Sequence, residues 1–266
     1  LCWLTLDRPD KGNALNPDVL DEIDGALTAL AGDPVVKVLV LRGQGRGFCS
    51  GHELGRDRGP DDVLSVMARL HRPFATFRRL WDFPKPVIAS VHGYCFGAAT
   101  QLCSSCDLVV VADDATIGLP RLPMGAGLTP PMLALTIGLR RAKELAFDIG
   151  STMDGRTAAQ WGWANRSVPA DRLQAEVEGL ARRIARAPAA VLAGQKATLN
   201  RVAEQQGFWE AATIGIEMDA LHHYARTGAP TSEAIRKLGV KGALELFERG
   251  GLGVANAGDV SGSTEI

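Results

Sequence analysis

Two glycine-punctuated stretches carry the residues best suited to chemistry. They are Phe48-Cys49-Ser50-Gly51-His52-Glu53-Leu54 and Gly93-Tyr94-Cys95-Phe96-Gly97-Ala98-Ala99-Thr100-Gln101. Glycines at the end of a strand permit close backbone approach and unusual dihedrals. At Gly97-Ala98 the chain turns into a short helix, whose leading amides have no acceptor of their own. Two main-chain N–H groups converging on one point would make an oxyanion hole, a fixed donor pair for charge developing on a carbonyl oxygen. The glycine-dense segment from Gly43 to Gly55 is a weak phosphate loop by comparison. It lacks a Gly-Lys-Ser/Thr ending, and it opens no helix with a dinucleotide fingerprint.

Several side chains near these turns have a chemical and a structural reading. The fork of Arg121 suits a carboxylate on a substrate, or equally a protein acid such as Glu53, Asp57 or Asp82. The imidazole of His52 could act as general base or acid in a pocket, or bond to backbone at its rim. Glu53 and Asp57 are acids in a loop, where solvation is the usual fate. His92, just before Gly93, reads as structural. His222 and His223 sit in a late helical pattern without a third ligand, so zinc is not expected. Cys103 and Cys106 form a C-x-x-C pair with no second pair or nearby histidine, which reads as core.

The elements that must position these groups follow from periodicity. Residues 2–7 and the apolar runs at 35–41, 87–91 and 108–111 predict strands. Asn16-Pro17 followed by Leu20, Ile23, Leu27 and Leu30 predicts a capped helix, and 61–81 and 97–105 predict two more. This alternation argues α/β architecture. From residue 129 helical patterns dominate, at about 131–149, 157–163, 170–186, 189–204, 207–226 and 231–247. The stripe of Leu199, Val202, Phe208, Trp209 and Ile216 reads as core or subunit interface.

Composition narrows the partners. A formal net charge of −1 over 266 residues argues against a nucleic-acid surface. No apolar run reaches membrane-spanning length, and no basic region precedes an apolar N-terminal segment. Five cysteines, odd in number and set in apolar runs, fit reduced thiols in a cytoplasmic protein better than disulfides.

Several separate stretches together carry a resemblance. These are Leu4 to Leu15 (LTLDRPDKGNAL), Gly47 to Leu54 (GFCSGHEL), Lys85 to Tyr94 (KPVIASVHGY), Ser105 to Asp113 (SCDLVVVAD), and Ala158 to Pro169 with its Trp-Gly-Trp-Ala-Asn-Arg. In this order they resemble the enoyl-CoA hydratase/isomerase, or crotonase, superfamily over roughly residues 1–200, and the likeness fades after about residue 225.

The resemblance implies an α/β crotonase-like spiral of ββα units with a C-terminal helical oligomerisation region. Residues 1–200 would form the thioester-binding core, 201–250 the helices for trimer assembly, and 251–266 a loose tail. It implies an acyl-CoA substrate, with coenzyme A as part of that substrate, no resident cofactor or metal, and a homotrimer or dimer of trimers. The enolate-stabilising amides fall on His52 and Ala98. Gly51, His52, Glu53, Leu54 and Gly55 would line the coenzyme path, with Lys11 and Ala14 nearby. Lys196 is placed either on phosphate or on a solvated helix face. The two glutamates of the family's hydratases map to Gln101 and Arg121, which cannot exchange protons at neutral pH. An ordinary crotonyl-CoA hydratase is therefore not expected. Two alternatives stand beside this: hydrolysis or C–C cleavage of a keto- or carboxy-acyl-CoA with His52 as base, and a non-catalytic CoA-ester binding subunit.

Overall fold

The computed structural model describes residues 1–54, 62–125 and 127–252. Five strands form a wholly parallel sheet in the order β1 (Cys2–Leu6), β2 (Leu39–Gly43), β3 (Val87–Val91), β5 (Leu108–Ala112) and β8 (Arg166–Val168). A smaller sheet contains β4 (Tyr94–Phe96), β6 (Thr116–Gly118) and β7 (Met153–Asp154), with β4–β6 parallel and β6–β7 antiparallel. Two successive units repeat one plan, sending a strand to each sheet and then a helix. The first is β3, β4 and α3 (Ala98–Ser104); the second is β5, β6 and α4 (Pro130–Ile137).

The central strands are apolar throughout because both faces of the sheet are covered. All five residues of β3 are buried, and α7 (Leu173–Ile184) packs on β3 and β5. α1 (Pro17–Ala31) starts where expected: the Asn16 side chain accepts from the Val19 amide at 2.9 Å, and Pro17 sets the first turn. Its Val19, Leu20, Ile23 and Leu27 are buried. α2 (Val63–Trp81) is capped by Asp62, which accepts from Ser65.

Three expectations need correction. The strand predicted over 35–41 starts only at Leu39. The Asp33 carboxylate accepts from the Val35 and Val36 amides at 2.7 and 3.2 Å, holding this stretch in a turn with Val35 exposed. The single helix over 131–149 is two, α4 and α5 (Leu139–Phe147), broken at Gly138 with φ 86° and ψ 150°. The strands of the small sheet, two or three residues each, have no counterpart in the periodicity analysis.

Beyond α6 (Gly155–Trp161) the chain is mainly helical: α7, α8 (Ala189–Gln205), α9 (Phe208–Tyr224) and α10 (Ala229–Glu248), the last interrupted at Gly239. The apolar stripe divides. Phe208 and Ile216 of α9 enter the main core, whereas Leu199 and Val202 of α8 are exposed. α10 builds a second cluster from Ala234, Ile235 and Ala243 with Leu122, against which Leu54, Met124 and Phe247 pack. The expected tail lies almost wholly outside the described residues, among which no helix is long and apolar enough to cross a membrane.

Candidate active site

The first glycine turn follows β2 and is fastened on two sides. Toward the N-terminus, the Ser50 amide donates to Gly12 O at 2.9 Å, Leu15 to Gly51 O at 2.8 Å, and Glu53 to Leu15 O at 2.9 Å. This isolated parallel bridge between Leu15 and His52 uses the amides on either side of His52, so the His52 N–H is directed away from Leu15. Toward the second sheet, the Cys49 amide donates to Tyr94 O and the Phe96 amide to Cys49 O. Asn13 locks the corner, donating from Nδ2 to Gln44 O and Gly47 O at 2.8 and 2.9 Å.

The second turn joins β4 to α3. Gly97, with φ 54°, donates its amide to Gly118 O of β6 at 3.0 Å, so Ala98 begins α3 with no intrahelical acceptor for its N–H. The two turns touch. Gly51 has φ 94°, and a methyl there would stand 2.7 Å from Phe96 O and 3.3 Å from Ala98 N. Any side chain at position 51 would occupy the space between the turns, which explains the glycine.

The expected coenzyme-path residues are brought together in part. Lys11, exposed, and Ala14, buried, lie on the 8–15 loop that docks against Gly51, His52 and Glu53. Leu54 joins the cluster under α10. Gly55 and Asp57 lie outside the described residues.

Glu53 is not a freely solvated loop acid. It pairs with Arg8 at 3.3 Å and accepts from Asn16 Nδ2 at 2.9 Å, so it anchors the turn to the cap of α1. Lys196 does not lie on a solvated helix face. It is buried, with Nζ 2.8 Å from Asp107 Oδ2, 3.1 Å from Leu80 O and 3.3 Å from Lys85 O. Burial pushes the Asp107 carboxyl above its ordinary range, against the opposing pull of the Lys196 ammonium.

Gln101 is buried in α3 and donates from Nε2 to Leu128 O at 2.6 Å. Arg121 follows Pro120, whose ring is 3.5 Å from where a Gly97 side chain would begin. Its guanidinium pairs with neither Glu53 nor Asp82. Instead it lies 3.5 Å from Glu248 at the end of α10, with its side chain 45 % exposed. Asp82 pairs with Arg78 at 2.7 Å.

The remaining candidates have internal partners. His92 Nε2 bonds Gly45 O, His222 bonds Thr227, and His223 bonds the Asp219 carbonyl, all at 2.9 Å. Cys49, Cys95, Cys103 and Cys106 are buried free thiols, with Cys95 and Cys103 sulfurs 3.9 Å apart. Burial pushes the Cys49 thiol up to about 12, which leaves it a weak acceptor for the Gly51 amide at 3.4 Å. Sequence reasoning missed Arg8, Asn13 and Asn16 as the fasteners of the first turn. All three flank or fall within the stretch Leu4 to Leu15, but their partners are roughly 30–45 residues away.

Comparison with known proteins bears on this geometry. A sequence model described as enoyl-CoA hydratase/isomerase matches residues 1–233. The hydroxycinnamoyl-CoA hydratase-lyase of Pseudomonas fluorescens is 32% identical over 212 residues, covering 77% of this chain and 76% of that one. A probable enoyl-CoA hydratase of Mycobacterium tuberculosis is 32% identical over 206 residues, covering 76% and 78%. Among solved structures, an enoyl-CoA hydratase/isomerase from Novosphingobium aromaticivorans superposes with a TM-score of 0.87 at 39% identity, covering 94% and 95% of the two chains. With a fold, a family match and relatives that agree across most of its length, this chain belongs to the enoyl-CoA hydratase/isomerase family, as an acyl-CoA enzyme on the crotonase fold.

Proposed function

We propose that the protein acts on an acyl-CoA thioester by holding its enolate on the main-chain amides of His52 and Ala98, without the two-glutamate hydration of crotonyl-CoA. The observation that carries this is the contact between the glycine turns, where Gly51 leaves room beside the Ala98 amide. A thioester carbonyl gaining enolate charge needs fixed donors in a water-poor site. Gln101 and Arg121 supply no exchangeable proton at neutral pH, so the side chains here bind and orient rather than hydrate. Lys11, Ala14 and the turn from Gly51 to Leu54 line the coenzyme path in this reading.

Ala98→Pro tests it, since proline fits the first position of a helix while removing the N–H. Titration with acetoacetyl-CoA, read by its enolate absorbance, is expected to show enolate on the wild type and almost none on the variant. In turnover, losing one such donor costs about 10²–10³-fold in kcat. Equal enolate signals on both proteins would reject the two-amide site. Crotonyl-CoA hydration at ordinary family rates, abolished in Gln101→Ala, would reject the non-hydratase part.

A second reading is hydrolysis or C–C cleavage with the His52 imidazole as base. The half-buried position of His52 within the turn supports it, as does the hydratase-lyase name of one relative. His52→Ala separates the cases, because a base loses most turnover whereas an amide donor loses little. Acyl-CoA binding by calorimetry with no turnover across a broad panel would favour a non-catalytic binding subunit instead. We also propose a homotrimer or dimer of trimers. Exposed Leu199, Val202, Ile214 and Leu221 on α8 and α9 support self-association, and sedimentation equilibrium checks it. Coenzyme A enters only as part of the substrate in this scheme, with no resident cofactor, and the buried free thiols support a reducing cytoplasmic setting.

A further inference from the structure

We infer that Asp219, on α9, is a positioning residue whose carboxylate fixes the course of the segment from Arg121 to Leu128, and with it the wall beside the Ala98 amide. This rests on the acyl-thioester reading above, because that wall matters to chemistry only if a thioester oxygen rests on Ala98. The segment runs from one side of the second turn to the other. At its start the Pro120 ring is 3.5 Å from where a Gly97 side chain would begin. At its end Leu128 O accepts from Gln101, on the helix that Ala98 opens. Among its described residues, 121–125 and 127–128, one main-chain hydrogen bond is internal, from the Met124 amide to Leu122 O at 2.8 Å. The course of the segment is therefore set by the elements around it.

α9 meets the segment at two points one helical turn apart, on one face. At Gly215 a methyl would stand 2.7 Å from Gly127 O and 3.1 Å from Leu128 O, so the helix backbone itself lies against the segment. Asp219 is 5 % exposed, and its carboxylate fills the space beside Gly125, where φ is 67°. A methyl at Gly125 would overlap Asp219 Oδ1 and stand 3.0 Å from Oδ2. From α10, Thr231 donates to Pro123 O at 3.0 Å. The contact at Gly215 needs only a missing side chain, whereas the one at Asp219 uses a group that is expensive to bury. An aliphatic residue would fill the same volume without that penalty. What the carboxylate adds is a pair of acceptor oxygens at a fixed point against main chain. The first turn is fastened separately, by Asn13 and by Glu53 with Arg8 and Asn16, so loosening this wall leaves the coenzyme side in place.

The test is titration of the full chain with acetoacetyl-CoA, read by enolate absorbance at saturation, beside calorimetric titration with free coenzyme A. Asp219→Ala is expected to lower the enolate signal about tenfold, inside the roughly 10²-fold that a 1 Å misplacement costs. It is expected to bind free coenzyme A as the wild type does. Asp219→Asn keeps the shape and one acceptor oxygen, and should retain most of the signal. Gly125→Ala intrudes on the carboxylate from the side of the segment and should reproduce the loss. An undiminished signal on Asp219→Ala, or a loss on Asp219→Asn of the same size, would overturn the inference. So would enolate and coenzyme A binding that weaken together, since that marks a general loosening. Should Asp219→Ala fail to fold, Gly125→Ala decides by the same two readings. No enolate on the wild type would reject the thioester reading itself, and this inference with it.

Discussion

Lys196 and Arg121 are both cations that sequence places at a binding site, and their surroundings differ. The Lys196 side chain is 6 % exposed, with its ammonium on one carboxylate and two carbonyls reached from three distant parts of the chain. The Arg121 side chain is 45 % exposed and meets one carboxylate, on an exposed Glu248, at 3.5 Å. The first cation holds Asp107, the connection before β3 and the end of α2 together. The second is loosely engaged beside the Gly97 turn, held by one long contact between two exposed side chains. Position in a family pattern identifies neither role; the oxygens around each cation do.

The largest effect belongs to the buried pair. Lys196→Met leaves the part-buried Asp107 without its countercharge, and urea denaturation should show a loss approaching the low end of a buried-pair break, about 3 kcal/mol. A midpoint shifted no more than that of a surface variant would erase the contrast. Adding Asp107→Leu should restore only part of the loss, because the Val87 amide donates to Asp107 at 2.7 Å and would lose its acceptor. Glu53 falls between the two extremes. Glu53→Ala removes its bonds to Arg8 and Asn16, and thermal unfolding should register about 1–2 kcal/mol.

Arg121→Ala should change stability by less than about 0.5 kcal/mol, as for other exposed pairs. It sharpens the comparison through binding: affinity for succinyl-CoA should fall while affinity for butyryl-CoA holds. A large loss of stability would instead make Arg121 a second structural cation. The smallest effect concerns pH. Asp154 caps α6 by accepting from the Thr157 amide at 2.7 Å, which holds its carboxyl below the ordinary range. Its folded value lies below its unfolded one. The cap's contribution is therefore fully present above about pH 4 and is lost as pH falls through the depressed value. Asp154→Asn should flatten that acid-side slope, measured as Tm against pH.

The parts of the molecule legible in the sequence are those dictated by backbone geometry or continuous burial. The Gly51 and Gly97 turns could be read because close approach and positive φ leave few residue choices. β3 and β5 could be read because strands buried on both faces are apolar without interruption. β4, β6 and β7 escaped because two or three residues carry no measurable period. The break at Gly138 had a local signal, a glycine inside a helical pattern, which the surrounding apolar residues obscured. Lys196 had none. Its partners Asp107, Lys85 and Leu80 lie 89, 111 and 116 positions away, and only the folded chain brings them together. The same holds for Gln101, whose Nε2 donates to a carbonyl 27 residues on.

The α10 cluster is held over Leu54 and Met124 by a patch separate from the main core, with Leu122, Ala234, Ile235 and Ala243 as its buried members. A segment fastened by so small a patch is expected to open before the main core does. Its amides should then take up deuterium well ahead of those in β3 and β5. Each such opening would bare Leu54, three residues beyond Gly51, without any unfolding of the sheets.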